Sequence, residues 1–205
     1  RGIDAHESGG IYLEWEQNQN EDIVAYLVYR AENFQENDSL GDYELLIRLD
    51  SESGTTFEYL DRSVSPRIDY YYKLKSEDPS DNQSTFSDSL RYSLLPSLPA
   101  SMMTPNGSRD KLSITRQLSW NYNYHIEMED YCLTILGQND EYIIRTVFSP
   151  TSYTYDDEVW YIPESVDLEV DQVYKWRIDT GAKYVNDYET AGSESPWATF
   201  LYIGT

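Results

Sequence analysis

Ile11-Tyr12-Leu13-Glu14-Trp15 alternates between two faces, with isoleucine, leucine and tryptophan on one face and tyrosine and glutamate on the other. Alternation with a period of two is typical of a β-strand that buries one side. The tripeptide Leu13-Glu14-Trp15 returns as Leu118-Ser119-Trp120, 105 residues further along the chain. A regular spacing of this kind indicates an internal repeat, so the same strand is encoded twice.

Two further segments recur with nearly the same offset. Tyr26-Leu27-Val28-Tyr29 returns as Tyr131-Cys132-Leu133-Thr134 after 105 residues, and Tyr70-Tyr71-Tyr72-Lys73-Leu74 returns as Tyr174-Lys175-Trp176-Arg177-Ile178 after 104 residues. Three ordered landmarks with preserved spacing indicate a duplicated unit. Its length matches one β-sandwich domain and is too long for a solenoid repeat.

The organisation between these landmarks predicts an all-β protein. Strand candidates follow one another with turn residues between them, and tyrosine and tryptophan, which favour strands, are abundant. The segment Leu95-Pro96-Ser97-Leu98-Pro99-Ala100 separates the two halves, because its prolines do not fit inside a central strand. We therefore expect one β-sandwich over residues 1–95 and a second over residues 96–205, with a longer loop near residues 156–172.

Composition restricts the partners of the chain. Its 205 residues include 37 acidic and 15 basic side chains, for a net charge of -22, which disfavours binding to nucleic acid and to anionic lipid. No apolar run is long enough for a transmembrane helix, so we expect no membrane insertion.

Cys132 is the single cysteine and lies within a strand pattern, which predicts a packing role. We expect a monomer and, because no signal peptide is visible at Arg1, a fragment of a longer protein.

A search for catalytic patterns predicts a protein that is not an enzyme and has no cofactor. His6 and His125 lack the spacing of a zinc site, and neither a nucleophile elbow nor a phosphate-binding glycine-rich loop is present. Acidic residues near His125, such as Glu127 and Asp130, are expected to form a solvated loop rather than an acid–base pair.

Two acidic clusters are weak candidates for calcium binding, although we expect no metal. One consists of Asp78, Asp81 and Asn82, and the other of Asp156 and Asp157. Neither cluster matches the twelve-residue calcium loop, which needs alternating oxygen ligands, a central glycine and a closing glutamate. These residue types are also common in turns, which is the alternative interpretation.

Three aromatic residues are the candidates for ligand binding. Trp160 and Tyr161 lie in the expected longer loop, and Trp197 precedes the last strand candidate. Exposed aromatic rings are enriched at binding surfaces, and their faces stack well against sugar rings. The alternative is that the rings pack against their own sandwich.

At these positions the chain resembles the fibronectin type III family, whose fold is immunoglobulin-like, and in particular modules of bacterial surface and secreted proteins. The resemblance covers nearly the whole chain, although the second half departs from it by its long loop and by Trp176. Three pairs of residues carry it, namely the core tryptophans Trp15 and Trp120, the strand-closing aspartates Asp61 and Asp156, and the tyrosine-corner residues Tyr70 and Tyr174.

The resemblance implies a non-catalytic pair of modules, located extracellularly, at the cell surface or in the periplasm. Such a pair would act as a spacer or as a protein- or glycan-recognition arm of a larger protein. The alternative is a carbohydrate-binding accessory region of a secreted hydrolase, which exposure of Trp160 or Trp197 in one cleft would favour. An enzyme in its own right would require a deep pocket with converging carboxylates, because β-sandwiches also occur in enzymes.

Overall fold

A computed structural model describes residues 2–17, 22–34, 39–51, 56–122, 129–150, 157–185 and 188–204. The chain forms two compact units: unit 1 comprises Arg1–His6 and Gly10–Leu94, and unit 2 comprises Glu7–Gly9 and Leu95–Thr205. Within the described ranges, the single helical element is a 3-10 turn at Ala100–Met102, and no helix there is long and apolar enough to cross a membrane. The predicted all-β sandwich fold is confirmed.

Unit 1 contains eight described strands: β1 (Gly2–Ala5), β2 (Ile11–Glu16), β3 (Ala25–Phe34), β4 (Ser39–Leu40), β5 (Glu44–Asp50), β6 (Thr56–Asp61), β7 (Asp69–Glu77) and β8 (Leu90–Leu94). One antiparallel sheet has the order β1-β2-β6. The other has the order β5-β3-β7-β8, with β4 pairing to the end of β3. The two sheets enclose one apolar core, as the alternating sequence of β2 requires.

The core of unit 1 takes side chains from both sheets. Leu13 comes from β2, Val28 from β3, and Tyr70 and Tyr72 from β7, and all four are buried. Trp15 is half-buried at the edge of this core, where its ring lies 5.9 Å from that of Tyr26. The alternation seen in the sequence therefore corresponds to inward and outward faces of the sheets.

Unit 2 contains nine described strands: β9 (Met103–Thr104), β10 (Lys111–Ser113), β11 (Gln117–Trp120), β12 (Asp130–Leu136), β13 (Tyr142–Phe148), β14 (Glu158–Tyr161), β15 (Gln172–Val185), β16 (Tyr188–Glu194) and β17 (Ala198–Gly204). One sheet has the order β9-β11-β14. In the other, β15 pairs with β12 on one side and with β17 and then β16 on the other, while β13 and β10 extend the sheet beyond β12 and β17. Trp120, Trp176 and Phe200 are buried between the sheets.

The two units repeat one strand register. Arg30 lies opposite Tyr72 in unit 1, and Ile135 lies opposite Trp176 at the corresponding place in unit 2. Both tyrosine corners are formed as predicted, because the hydroxyl of Tyr70 accepts a hydrogen bond from the Ser65 amide at 2.9 Å and that of Tyr174 accepts one from the Glu169 amide at 2.8 Å.

The structure differs from the sequence-based prediction at the long loop of unit 2. Residues 158–161 form strand β14, which pairs with β11 so that Trp160 lies opposite Leu118. Tyr59 occupies the same place opposite Leu13 in unit 1. Residues 151–156 lie outside the described residues. The register of β14 places Ile162 where Asp61 ends β6, so the predicted pairing of Asp61 with Asp156 is wrong. Strand β16 was missed because its alanine, glycine and serine residues give no strand pattern.

Candidate functional site

The aromatic residues predicted from the sequence lie in different surroundings. Trp160 is half-buried and packs against the core of unit 2, where its ring stacks on that of Phe148 with centroids 6.5 Å apart. Tyr161 is 59% exposed, since neighbouring residues of a strand point to opposite faces. Trp160 therefore occupies a packing position, and Tyr161 is the member of the pair that a ligand could reach.

Trp197 lies beside the other sheet of unit 2. Its ring is approached by two cations of β15, Lys175 and Arg177, each 4.9 Å from the ring centroid. Trp176, between them in sequence, points into the core and is fully buried. Trp160 belongs to the sheet β9-β11-β14, so the structure does not bring Trp160 and Trp197 together in one cleft, and binding at any of the three aromatic residues stays a prediction.

The first calcium candidate forms a self-contained turn. One carboxylate oxygen of Asp78 accepts hydrogen bonds from the amides of Ser80 and Asn82, and the other accepts one from the Asn82 side-chain nitrogen at 2.9 Å. The hydrogen bonds from Asn82 lower the pKa of Asp78. Asp81 adopts a left-handed conformation with φ of 62°. The residues therefore have the geometry of a tight turn, which aspartate and asparagine favour.

The second calcium candidate is described only in part. Asp156 lies outside the described residues, and Asp157 is exposed and accepts a hydrogen bond from the side chain of Asn121 at 2.9 Å. Within the portion of the chain that the structure describes, no group of three or more histidine, cysteine, aspartate or glutamate residues could hold a metal ion.

The most completely buried carboxylate of unit 1 belongs to an internal cluster. The Asp61 side chain is fully buried and accepts hydrogen bonds from Arg30 at 2.7 Å and from the Tyr72 hydroxyl at 2.9 Å. Its second oxygen accepts from both the amide and the hydroxyl of Ser63. Burial alone would raise the pKa of Asp61, but the hydrogen bonds from Ser63, Arg30 and Tyr72 outweigh it and lower the pKa. A carboxylate held ionised in this way stabilises the fold and is a poor proton acceptor.

An exposed cluster on the outer side of the larger sheet of unit 1 is the best candidate for a binding site. We call it the aromatic–lysine platform, and it consists of Tyr29, Tyr43, Lys73, Lys75 and Phe86. The ring of Phe86 is 41% exposed and meets that of Tyr29 edge-on at 4.9 Å. The ring of Tyr43 lies 6.1 Å from Phe86. The three rings form a contiguous apolar surface of a kind that is common at recognition sites.

The strand register brings the two lysines to these rings. Lys73 lies opposite Tyr29 across β3 and β7, and its ammonium group is 4.5 Å from the ring centroid of Tyr43. Lys75, two residues further along the same face of β7, has its ammonium group 4.5 Å from the ring centroid of Phe86. Both cations therefore contact aromatic faces, an interaction that keeps their charge accessible.

Serine side chains hold Phe86 against the sheet. The amide of Ser87 donates to the carbonyl of Leu74, and the amide of Leu74 donates to the hydroxyl of Ser87 at 2.9 Å. Ser84 repeats this exchange with Ser76. Beside Phe86 lies a shallow depression of about 320 Å³, lined by Tyr26, Leu74, Lys75, Ser76, Ser84, Thr85, Phe86 and Ser87.

Sequence reasoning missed the platform, although part of its signal was present. Tyr29, Lys73 and Lys75 occupy the outward positions of two strands that were predicted correctly. Phe86 lies before β8, which begins only at Leu90, so no strand pattern predicts where its ring lies. The meeting of these side chains depends on contacts between distant segments that no local pattern encodes.

Comparison with known proteins yields solved structures of low sequence identity. No protein-family model and no curated protein matches the chain. The solved FN1–FN3 domains of chicken CNTN1 match 98% of this chain and 65% of that chain, with 13% identity and a TM-score of 0.41. The selenomethionine-substituted chicken interferon gamma receptor alpha chain matches 98% of this chain and 95% of that chain, with 8% identity and a TM-score of 0.33. The chain thus spans less than two thirds of the CNTN1 chain, and neither similarity carries an inference about function.

Proposed function

We propose that the chain is a pair of non-catalytic fibronectin type III-like modules that acts as a recognition arm or spacer within a larger protein. The observation that carries the proposal is the aromatic–lysine platform, an exposed apolar and cationic surface on a chain of net charge -22. An exposed ring such as Phe86 loses contact with water when a partner covers it, and this favours association.

The surroundings of Asp61 support a role without catalysis for this buried carboxylate. General base catalysis needs a carboxylate with a raised pKa that a substrate can reach. Asp61 has the opposite properties, since its side chain is fully buried, its pKa is lowered and its oxygens are occupied by Arg30, Tyr72 and Ser63.

The proposed setting is extracellular, at the cell surface or in the periplasm, as the resemblance to the fibronectin type III family implies. The buried Trp120, the half-buried Trp15 and the tyrosine corners of both units support this proposal. We further propose that residues 1–95 and 96–205 are the two modules and that the chain is monomeric. The strong negative charge supports a monomer, because identical polyanionic surfaces repel each other.

A carbohydrate-binding accessory region of a secreted hydrolase is the second candidate. The exposure of Tyr161 favours it, because its ring projects from β14 on the outer face of unit 2. A phenol ring in this position offers a flat apolar surface for stacking on a sugar, with a hydroxyl group for hydrogen bonding.

Ligand screening with two single-ring variants tests these functions. The intact chain and its Phe86→Ala and Tyr161→Ala variants are applied to a glycan array and to a panel of extracellular proteins. We expect a ligand whose binding is lost in Phe86→Ala and kept in Tyr161→Ala, and the reverse pattern would favour the accessory region. Turnover of chromogenic glycoside or ester substrates by the purified chain would contradict a non-catalytic role.

A further inference from the structure

We infer that the aromatic–lysine platform binds an anionic saccharide, in which a sugar ring carrying a carboxylate packs on Phe86 while the carboxylate meets Lys73 and Lys75. This inference specifies the ligand class of the recognition role proposed above and rests on that role. Three features of unit 1 carry it. The two lysines contact rings rather than described carboxylates, the ring of Phe86 near them is exposed, and the neighbouring strand edge is already hydrogen-bonded.

The two lysines differ in their contacts from three arginines of the same unit. Acidic residues outnumber basic ones 37 to 15, so most cations have carboxylates to pair with. Arg30, Arg48 and Arg91 in unit 1 all form ion pairs, at 2.8 Å or less in the pairs of Arg30 with Asp61, Arg48 with Glu77 and Arg91 with Asp69. In the part of the chain that the structure describes, Lys73 and Lys75 form no ion pair. Both contact rings, and Lys75 also donates a long hydrogen bond to the side-chain oxygen of Gln83 at 3.4 Å. Their charges are therefore available to an anionic ligand, and this short-range pairing has to outweigh repulsion by the net charge of -22.

The ring between these charges is positioned for a sugar. Phe86 is 41% exposed, and both ammonium groups lie near its centroid, Lys75 at 4.5 Å and Lys73 at 5.6 Å. A sugar ring that covers the exposed part of Phe86 thus has a carboxylate substituent within reach of one or both lysines. An ion pair of this kind replaces a weak exposed cation–π contact by a stronger charge-assisted hydrogen bond.

The adjacent depression has a suitable size. Its volume of about 320 Å³ is near the lower end of the range for small-ligand sites, and Lys75 and Phe86 are the platform residues that line it. Thr85 lines it together with Ser84 and Ser87, whose hydroxyls already accept from the amides of β7 and donate to backbone carbonyls. The side chain of Thr85 adds a hydroxyl group at the border of the depression, which can bond to a saccharide hydroxyl.

The strand edge beside the platform favours a glycan over an acidic peptide. An extended peptide usually binds by adding a strand to an open sheet edge, where main-chain groups are unpaired. Here the amides and carbonyls of Leu74 and Ser76 are already bonded to Ser87 and Ser84. A peptide would have to displace these hydrogen bonds, whereas a saccharide needs only the side-chain surface.

Unit 2 has a similar arrangement that lacks the available charge. Lys175 and Arg177 approach the ring of Trp197, but Lys175 pairs with Asp140 at 2.5 Å and Arg177 pairs with Glu194 at 2.7 Å. These carboxylates neutralise the cations at the place where an anionic ligand would bind. The inference therefore assigns the saccharide to unit 1.

A titration with three probes tests the inference. The intact chain, labelled with nitrogen-15, is titrated with a tetrasaccharide of alternating glucuronic acid and N-acetylglucosamine, with a neutral glucose tetrasaccharide, and with a hexaglutamate peptide. We expect the uronate probe to shift the amide signals of β7 and of residues 84–89, and to bind at least about tenfold more tightly than either other probe. Equal or tighter binding of hexaglutamate would assign the platform to an acidic peptide and overturn the inference.

Charge-matched variants locate the binding. Lys73→Gln with Lys75→Gln should weaken binding of the uronate probe about tenfold. The control, Arg109→Gln with Lys111→Gln, removes the same charge from exposed positions of unit 2 and should leave binding unchanged. Far-UV circular dichroism and the melting midpoint establish that both variants fold.

Failure of the inference can be separated from failure of the proposed function. No uronate binding, or equal loss in both double variants, overturns the saccharide inference. If the glycan array and protein panel still yield a ligand that depends on Phe86, the recognition function stands with another ligand class. If no ligand depends on Phe86, the recognition role itself is wrong.

Discussion

The two units place different side chains at the same position of one fold, charged and polar ones in unit 1 and apolar ones in unit 2. Unit 1 buries a charged cluster in which Arg30 of β3 and Tyr72 of β7 both bond to Asp61 at the end of β6. In unit 2 the strand register puts Ile135 and Trp176 where Arg30 and Tyr72 lie. Ile162 directly follows β14, and its amide donates to the carbonyl of Arg116. It therefore occupies the position in unit 2 that Asp61 occupies at the end of β6. Both isoleucines and the tryptophan are buried.

This difference shows that the sandwich accommodates either a charged or an apolar cluster at this position, provided that the buried polar groups of the cluster have hydrogen-bond partners. The polar cluster is stable because Asp61 accepts hydrogen bonds at both oxygens and thereby offsets the cost of burying its charge. The apolar version avoids that cost, and its one polar group is satisfied because the indole nitrogen of Trp176 donates to the carbonyl of Pro105 at 2.9 Å. Variants that leave a buried polar group of either cluster without a partner should be far less stable than the parent chain.

The largest effect is expected from Trp120 in the core of unit 2, with Trp15 of unit 1 as its comparison. Trp120 is 1% exposed, so Trp120→Ala should lower the free energy of unfolding of unit 2 by about 4 kcal/mol. Trp15 is only half-buried, so Trp15→Ala should cost unit 1 about 2 kcal/mol. Urea unfolding, combined with hydrogen exchange measured separately on β3 and β12, checks both values. Equal losses would show that the two tryptophans are packed alike.

A somewhat smaller effect is expected when the charged cluster is left incomplete. Asp61→Ala leaves Arg30 and Tyr72 without their shared acceptor, which should destabilise unit 1 by about 3 kcal/mol. The matched variant transfers the apolar solution of unit 2 through the triple substitution Arg30→Ile, Asp61→Ile and Tyr72→Trp, and should stay within about 1 kcal/mol of the parent chain. Urea unfolding of both variants measures this. A triple variant as unstable as Asp61→Ala would mean that the two units are not interchangeable at this position.

The next effect is on stability in acid, which should destabilise unit 1 before unit 2. The pKa of Asp61 is lowered on folding from an ordinary value of 3.8, so its contribution to stability is present above that value and is lost as the pH falls through the lower pKa of the folded state. Unit 2 has an isoleucine in place of this carboxylate. Below pH of about 4, hydrogen exchange should therefore increase earlier in β7 than in β15. The difference should shrink in Asp61→Asn, and a difference that persists unchanged in that variant would exclude Asp61 as its cause.

The smallest effect is expected at the tyrosine corners, which the two units share. Tyr70→Phe and Tyr174→Phe each remove a hydroxyl that accepts a backbone hydrogen bond, from Ser65 and Glu169 respectively. Each should cost about 1 kcal/mol, and the two costs should be similar because the corners have the same geometry. Thermal unfolding of the two variants against the parent chain is sufficient to detect this. A cost near zero in one unit would show that water replaces the hydroxyl there.

Much of the fold was predictable because its signals are local. The alternation of β2 and the repeat of Tyr70 at Tyr174 reflect inward and outward faces that each strand encodes by itself. The tyrosine corners were also accessible, since each hydroxyl bonds to a backbone group only five residues earlier. By contrast, strand β14 could not be placed from its own four residues, because its pairing with β11 bridges a long segment of chain.

The candidate site was less predictable for the same reason. Trp160 and Trp197 were chosen for their residue type, yet one packs on Phe148 and the other lies against Lys175 and Arg177. Phe86 gave no signal of its own, since its exposure and its contacts with Tyr29 and Lys75 depend on how a later segment lies along β7.

By itself, the sequence determined the all-β class, the duplication and the residues that anchor both cores, because period and offset are properties of the chain read in one dimension. Only the tertiary structure decided that Asp61 meets Arg30 and Tyr72, and that two lysines share an exposed phenylalanine. Those contacts arise from strand register, and register follows from how two sheets fit around a common core rather than from any single strand.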